Sequence, residues 1–267
     1  MAYRRGDPLI NRNPLFLAAS RALSVLVIAL GWPVAKILYG FSARGRENLR
    51  ALKRRPAVIV SNHSIPLDSL IHGLCILPRF SYFSVIEETI LSPFLGTLVR
   101  LLGGFPVSPR LARSGALDEA MSIALRGRGT VYFYGEGECF LYNQEIKPLK
   151  TGAFYCAIRN QVPVLPIVTV LKLRGDGAAR EGRARVKGHA RRIAREQVRI
   201  RAEVHILPAV TPPPTSGQRA DDLRAAAAMA QAVRALMQER IDTEGGDKSL
   251  YRGPMPRIRG INDTDRS

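Results

Sequence analysis

Short apolar runs alternate with amphipathic stretches along most of this chain. Ala57-Val58-Ile59-Val60 is wholly apolar and reads as a buried strand ending at Ser61. Downstream the pattern predicts a helix near 66–77, a strand near 82–86, a helix near 88–102 and a short strand through Phe105-Pro106-Val107. A helix near 114–126, a strand at 130–134, a helix near 151–160 and a strand over 164–170 follow. Pro163 and Pro166 suggest an edge or a bulged entry for that last strand. After it come a strand from Ala202 to Val210, a turn at Pro212-Pro213-Pro214 and an Ala-rich helix from Ala220 to Ile241. Alternation of this kind predicts an α/β fold with a largely parallel sheet flanked by helices.

The N-terminus departs from that rhythm. Leu15 to Gly31 is nearly all apolar apart from Arg21, Trp32-Pro33 breaks the run, and Val34 to Tyr39 resumes it. The uncharged stretch from Ala22 to Ala35 is shorter than the ~20 residues a spanning helix needs. Two short apolar helices ringed by Arg4, Arg5, Arg12, Arg21 and Lys36 predict monotopic docking, one face in a leaflet and the arginines at lipid phosphates. A core-packing hairpin and a single tilted span are the alternatives. The predicted organisation is a docking segment over 1–43, an α/β domain over 44–242 and a loosely held polar tail over 243–267. Within the domain, an Arg- and Gly-rich basic insertion spans about 174–201.

Charge narrows the partners. The chain has 267 residues, 46% of them hydrophobic, and a formal net charge of +18, which excludes wholesale disorder and favours anionic surfaces or phosphorylated substrates. No nucleic-acid-binding module accompanies the charge, so nucleic acid is not expected as a partner. Cys75, Cys139 and Cys156 are odd in number and lack CxxC spacing, so neither a disulfide framework nor a metal site is expected, and a reducing compartment fits.

The chemistry gathers at Asn62-His63-Ser64-Ile65-Pro66-Leu67-Asp68. Pro66 suits the first turn of a helix, placing His63 in the strand-to-helix turn and Asp68 in the first turn after it. That is the carboxyl end of a sheet strand, where open α/β sheets put their crevices. An Asp holding one ring nitrogen fixes the tautomer and leaves the other free to take a proton from a substrate hydroxyl. The same residues also fit a plain turn in which Asp68 caps the helix and His63 faces solvent.

Three further blocks follow. Gly103-Gly104-Phe105-Pro106-Val107-Ser108-Pro109-Arg110 sets an arginine at the sheet edge, where its guanidinium suits a phosphate. Tyr134-Gly135-Glu136-Gly137-Glu138-Cys139 holds acidic residues among glycines just after a strand, and Val162-Pro163-Val164-Leu165-Pro166-Ile167 is an apolar strand with prolines. In this order the four blocks resemble the PlsC-type glycerolipid acyltransferase family, from Arg44 through about Val170. The resemblance implies acyl transfer from a thioester, acyl-CoA or acyl carrier protein, to the hydroxyl of a lysolipid, with no cofactor beyond that co-substrate. His63 is then the general base and Asp68 its orienting partner. Asn62, Arg110, Glu136, Gly137 and Lys150 match substrate-binding positions, and Pro166 an acyl-pocket or structural one. The cytoplasmic face of a membrane, monotopic or single-span, is the implied location.

The third block departs from the family pattern: Gly135 stands for Pro, and Glu138-Cys139 for Thr-Arg. A cation is lost and a carboxylate gained, which argues against lysophosphatidate and for a zwitterionic lysophospholipid or an amino-acid lipid as acceptor. A lipid-surface binding protein without catalysis is the reading from another class.

Overall fold

The computed structural model describes residues 3–258, except 54, 114, 127, 128 and 174–199, so most of the predicted basic insertion lies outside the described residues. In chain order the helices are α1 (Pro14–Tyr39), α2 (Arg46–Ala51), α3 (Asp68–Ile76), α4 (Glu87–Leu91), α5 (Pro93–Leu101), α6 (Pro109–Arg113), α7 (Ala116–Arg126), α8 (Gly152–Asn160) and α9 (Arg219–Thr243). The strands are β1 (Ser42–Arg44), β2 (Ala57–Ser61), β3 (Ser81–Ile86), β4 (Gly104–Val107), β5 (Thr130–Tyr134), β6 (Val164–Leu173) and β7 (Ile200–Ile206).

Among the described residues these strands form one sheet in the order β1-β7-β6-β2-β5-β3-β4. Every pairing is parallel except β6 with β7. β2 lies between β5 and β6 and is buried along its whole length, as a continuous apolar run demands. Val58 and Val60 pack with α7, α8 and α9, while Ala57 and Ile59 pack on the opposite face with α1 and α3. The predicted α/β class and largely parallel sheet are what the chain adopts.

Several local expectations change. The N-terminal apolar segment is one helix, α1, rather than two, with Pro33 inside it. Proline removes one hydrogen bond, and packing outweighs the loss: Gly31, Ala35 and Tyr39 are buried against the domain. A methyl group at Gly31 would lie 2.4 Å from Leu70 Cδ1, so α1 and α3 touch almost backbone to side chain. The single helix expected near 88–102 is two, because Ser92 is extended ahead of Pro93. Likewise α6 and α7 are separated where Gly115 takes φ +76°.

β6 is an interior strand, not an edge. Pro166 is tolerated there because pairing with β7 begins only at Ile167, so its missing N–H falls outside that ladder, while its carbonyl accepts from Leu207 N–H at 2.9 Å.

The tail is pinned as far as Arg257. Asp247 N–H donates to Leu171 O, and residues 252–255 run antiparallel to 139–141. Three backbone bonds tie the two segments: Leu141 to Gly253, Arg252 to Leu141 and Met255 to Cys139, at 2.8 to 3.0 Å.

Candidate active site

The carboxyl ends of adjacent β2 and β5 carry the site. Their register sets Ser61 opposite Tyr134, and Gly135 N–H extends the pairing to Ser61 O. Beyond β2, the Asn62 side chain continues the sheet toward β6: its Oδ1 accepts from Thr169 N–H at 2.9 Å and its Nδ2 donates to Thr169 O at 3.1 Å. Asn62 is thereby buried in the scaffold immediately before His63.

His63 Nδ1 lies 2.9 Å from Asp68 Oδ2. α3 begins at Asp68, and Pro66 sits in the turn before it. The same Oδ2 accepts backbone N–H bonds from Ser64 at 2.7 Å and Ile65 at 2.9 Å. Asp68 does not cap α3, of which it is the first residue; its carboxylate fastens the preceding turn and holds the imidazole in one arrangement. Asp68 is fully buried whereas the His63 side chain is 21% exposed, which leaves Nε2 as the nitrogen a substrate can reach. The Tyr134 ring stacks on His63 with centroids 4.1 Å apart.

Glu136 is buried. Its Oε2 accepts from His63 N–H and its Oε1 from Lys147 N–H, both at 2.9 Å. Burial raises its pKa, while those two N–H bonds pull the other way. The carboxylate therefore fastens the backbone of His63 to the loop after β5. Gly137, at φ +76°, lets that loop turn, with Lys150 running alongside it.

Arg110 donates to Glu87 Oε1 at 2.5 Å, and that pairing lowers the Glu87 pKa against its partial burial. Glu138 is paired as well: Arg257 donates to its Oε1 at 2.7 Å. The carboxylate that stands where a neutral residue was expected thus has its own cation, which removes the premise for an acceptor bearing positive charge. Pro166 is one strand away from His63, opposite Val60.

Sequence reasoning missed three side chains here. Tyr134 was hidden in an apolar strand, and Arg257 in a tail predicted to be loose. His72 follows Asp68 at the i,i+4 spacing of a shared helix face, a signal that was available. Its Nε2 lies 2.7 Å from Thr169 Oγ1 and 3.6 Å from Asp68 Oδ1.

The three cysteines are buried, and burial pushes the Cys75 and Cys156 thiols up to about 12 and Cys139 higher still. Glu203, His205 and Glu244 bring possible metal-ligand atoms within 4.8 Å of one another. Their carboxylates already pair with Lys172, Arg201 and Arg240 at 2.8 to 3.2 Å, which leaves little negative charge for a cation.

Residues 40–170 match the protein-family model described as Acyltransferase. The chain is 35% identical over 147 residues to the human protein named 1-acyl-sn-glycerol-3-phosphate acyltransferase beta, covering 52% of this chain and 51% of that one. It is 27% identical over 214 residues to the sheep protein named 1-acyl-sn-glycerol-3-phosphate acyltransferase alpha, covering 79% and 67%. The chain thus spans about half the length of the human relative. A crystal structure titled as the 1-acyl-sn-glycerophosphate (LPA) acyltransferase PlsC from Thermotoga maritima superposes with a TM-score of 0.56 at 16% identity, over 90% of this chain and 87% of that one.

Proposed function

We propose that this chain is a PlsC-type acyltransferase that moves a fatty acyl group from a thioester, acyl-CoA or acyl carrier protein, to the free hydroxyl of a lysophospholipid. The observation that carries this reading is the 2.9 Å bond from a buried, backbone-held Asp68 to Nδ1 of a partly exposed His63. His63 Nε2 takes the hydroxyl proton as the oxygen attacks the thioester carbonyl carbon. Asp68 and the Tyr134 face stabilise the imidazolium that forms. The tetrahedral intermediate then expels the thiolate, which takes the proton from His63, giving an ester and a free thiol. No step needs a metal.

The acceptor we propose is a lysophospholipid with a phosphate head group, of the 1-acylglycerol-3-phosphate kind. With Glu138 held by Arg257, the loop no longer presents an unmatched negative charge, and Lys150 beside Gly137 adds a cation.

Membrane association is supported by α1. Its outer side exposes Leu15, Val25, Leu26, Leu30, Trp32, Val34 and Ile37, and the neighbouring α5 exposes Phe94 and Leu98. The helix is long and apolar enough to cross a membrane. Along its length, however, it is fixed to the domain: Ser20 Oγ donates to Leu101 O, Gly31 lies on Leu70 and Tyr39 is buried. That attachment supports a helix lying in one leaflet. The cytoplasmic face agrees with free cysteines and with a net charge of +18, which an anionic leaflet attracts.

The test is a panel of lysolipids differing in head group, assayed with one acyl-CoA and with His63→Ala as control. Thioester release that requires lysophosphatidate and vanishes in the control supports the reading. Activity retained by His63→Ala sinks the base assignment, and a preference for cationic acceptors sinks the head-group assignment.

A further inference from the structure

Asp68 has one oxygen crowded with donors and one without a partner. Oδ2 accepts from His63 Nδ1 and from the N–H groups of Ser64 and Ile65. Oδ1 is buried and, among the described residues, has no hydrogen bond within ordinary limits; His72 Nε2 lies 3.6 Å from it. An ionised oxygen left bare in the interior is costly, so a neighbouring N–H that can turn to it matters.

His72 is fully buried one helical turn beyond Asp68. Among the described residues its Nδ1 lacks a partner, whereas Nε2 faces both Thr169 Oγ1 and Asp68 Oδ1. A proton on Nδ1 would be stranded; a proton on Nε2 has two acceptors. Burial pushes the ring down to about 4 against the pull of Asp68, so at neutral pH it carries that single proton and no charge. The groups facing it are Asp68 and His63 from its own end of the fold, Tyr132 and Tyr134 from β5, and Thr169 from β6.

The connection closes on itself. Asn62, the residue before His63, clamps the backbone of Thr169 on both sides. Thr169 directs His72, His72 lies against Asp68, and Asp68 holds His63.

We propose that His72 is a positioning residue for the acyl transfer, an imidazole whose Nε2–H, bonded to Thr169 Oγ1, stands 3.6 Å from Asp68 Oδ1 and by that polar contact keeps the carboxylate turned so that Oδ2 faces His63. Neutrality is the point of the arrangement. A cation at this place would attract the carboxylate away from the imidazolium that forms on His63, whereas a neutral donor fixes its plane and leaves its charge to the base.

This inference rests on His63 being the base, and the experiment separates the two. Steady-state kinetics are measured across pH for His72→Leu, His72→Asn, His72→Gln and His63→Ala, with thermal unfolding of each. Leucine removes the donor. Asparagine places its amide near Nδ1, and glutamine places its amide near Nε2. Loss of the donor lets the Asp68 carboxylate turn away from His63 and weakens the pair, so the acid limb of kcat moves to lower pH. We expect kcat to fall roughly tenfold in the leucine and asparagine variants with KM within about twofold, far less than the ~10⁴ lost when a triad carboxylate is disabled. Glutamine should restore most of kcat and the original acid limb.

If leucine fails to fold, the asparagine and glutamine pair carries the comparison. Equal kcat and an unmoved acid limb in asparagine and glutamine variants, with His63→Ala inactive, overturn the role of His72. An active His63→Ala variant overturns the base assignment instead.

Discussion

The carboxylate of Glu136 holds the peptide N–H of His63 at 2.9 Å, so the loop after β5 grips that histidine by its backbone. The same carboxylate holds Lys147 N–H through its other oxygen. Glu136→Gln leaves one of those buried N–H groups facing an NH₂. We expect a loss of about 1–3 kcal/mol in urea unfolding and a ~10- to 100-fold fall in kcat from a displaced imidazole. Wild-type kcat in a folded Gln variant would remove Glu136 from the positioning of His63.

Acid should weaken the fold through His72. Its folded value, about 4, is depressed below the ordinary 6.5. A depressed base contributes stability that is fully present above 6.5 and is lost as pH falls toward 4, because the unfolded chain binds the proton first. The shift corresponds to about 3 kcal/mol. Unfolding free energies between pH 7 and 4 should fall less steeply in His72→Gln than in the wild type; parallel curves would assign the acid sensitivity elsewhere.

Glu138 and Arg257 should show coupling in acceptor affinity more than in stability. An exposed pair of this kind is worth at most about 1 kcal/mol to the fold. Arg257→Ala uncovers the carboxylate, so KM for an anionic lysophospholipid should rise while Tm barely moves. Adding Glu138→Gln should bring KM back down. A KM that does not respond to Arg257→Ala would place the head group away from this pair.

Tyr134 offers a cleaner separation of two contributions. Its hydroxyl donates to Ser69 Oγ at 3.0 Å, and its ring lies on His63. Tyr134→Phe keeps the ring and should keep kcat, whereas Tyr134→Leu should lose several-fold, since a cation over a ring is worth about 0.5–2 kcal/mol. Equal losses in both would shift the contribution to the hydroxyl.

Membrane binding should depend on the outer side of α1. Leu26→Glu with Leu30→Glu puts two carboxylates on that exposed face, and vesicle flotation should be lost while activity on detergent-dispersed substrate persists. Flotation that survives would assign docking to another surface.

Much of the frame was legible because it follows from local rules. The buried run at β2, the His-to-Asp spacing and the helix expected near 66–77, which starts two residues later at Asp68, each depend on neighbours a few positions away. What escaped depends on distance or on competition. Glu138 and Arg257 are 119 positions apart, and no local pattern links a glycine-rich loop to a polar tail. Pro33 signalled a helix break, and burial of Gly31, Ala35 and Tyr39 overrode it. Thr169 looked like any strand residue, since its place beside Asn62 follows from the register of β6 against β2. His72 is the exception: its spacing from Asp68 was visible, and only its burial gave the spacing meaning.

The contact of Gly31 with Leu70 joins α1 to α3 two residues past Asp68. Under the leaflet docking proposed for α1, the chain has little freedom to bob relative to His63. The depth of the imidazole below or above the lipid head groups would be set like the stop on a drill, and acceptors would be sorted by how far their free hydroxyl stands from the membrane plane.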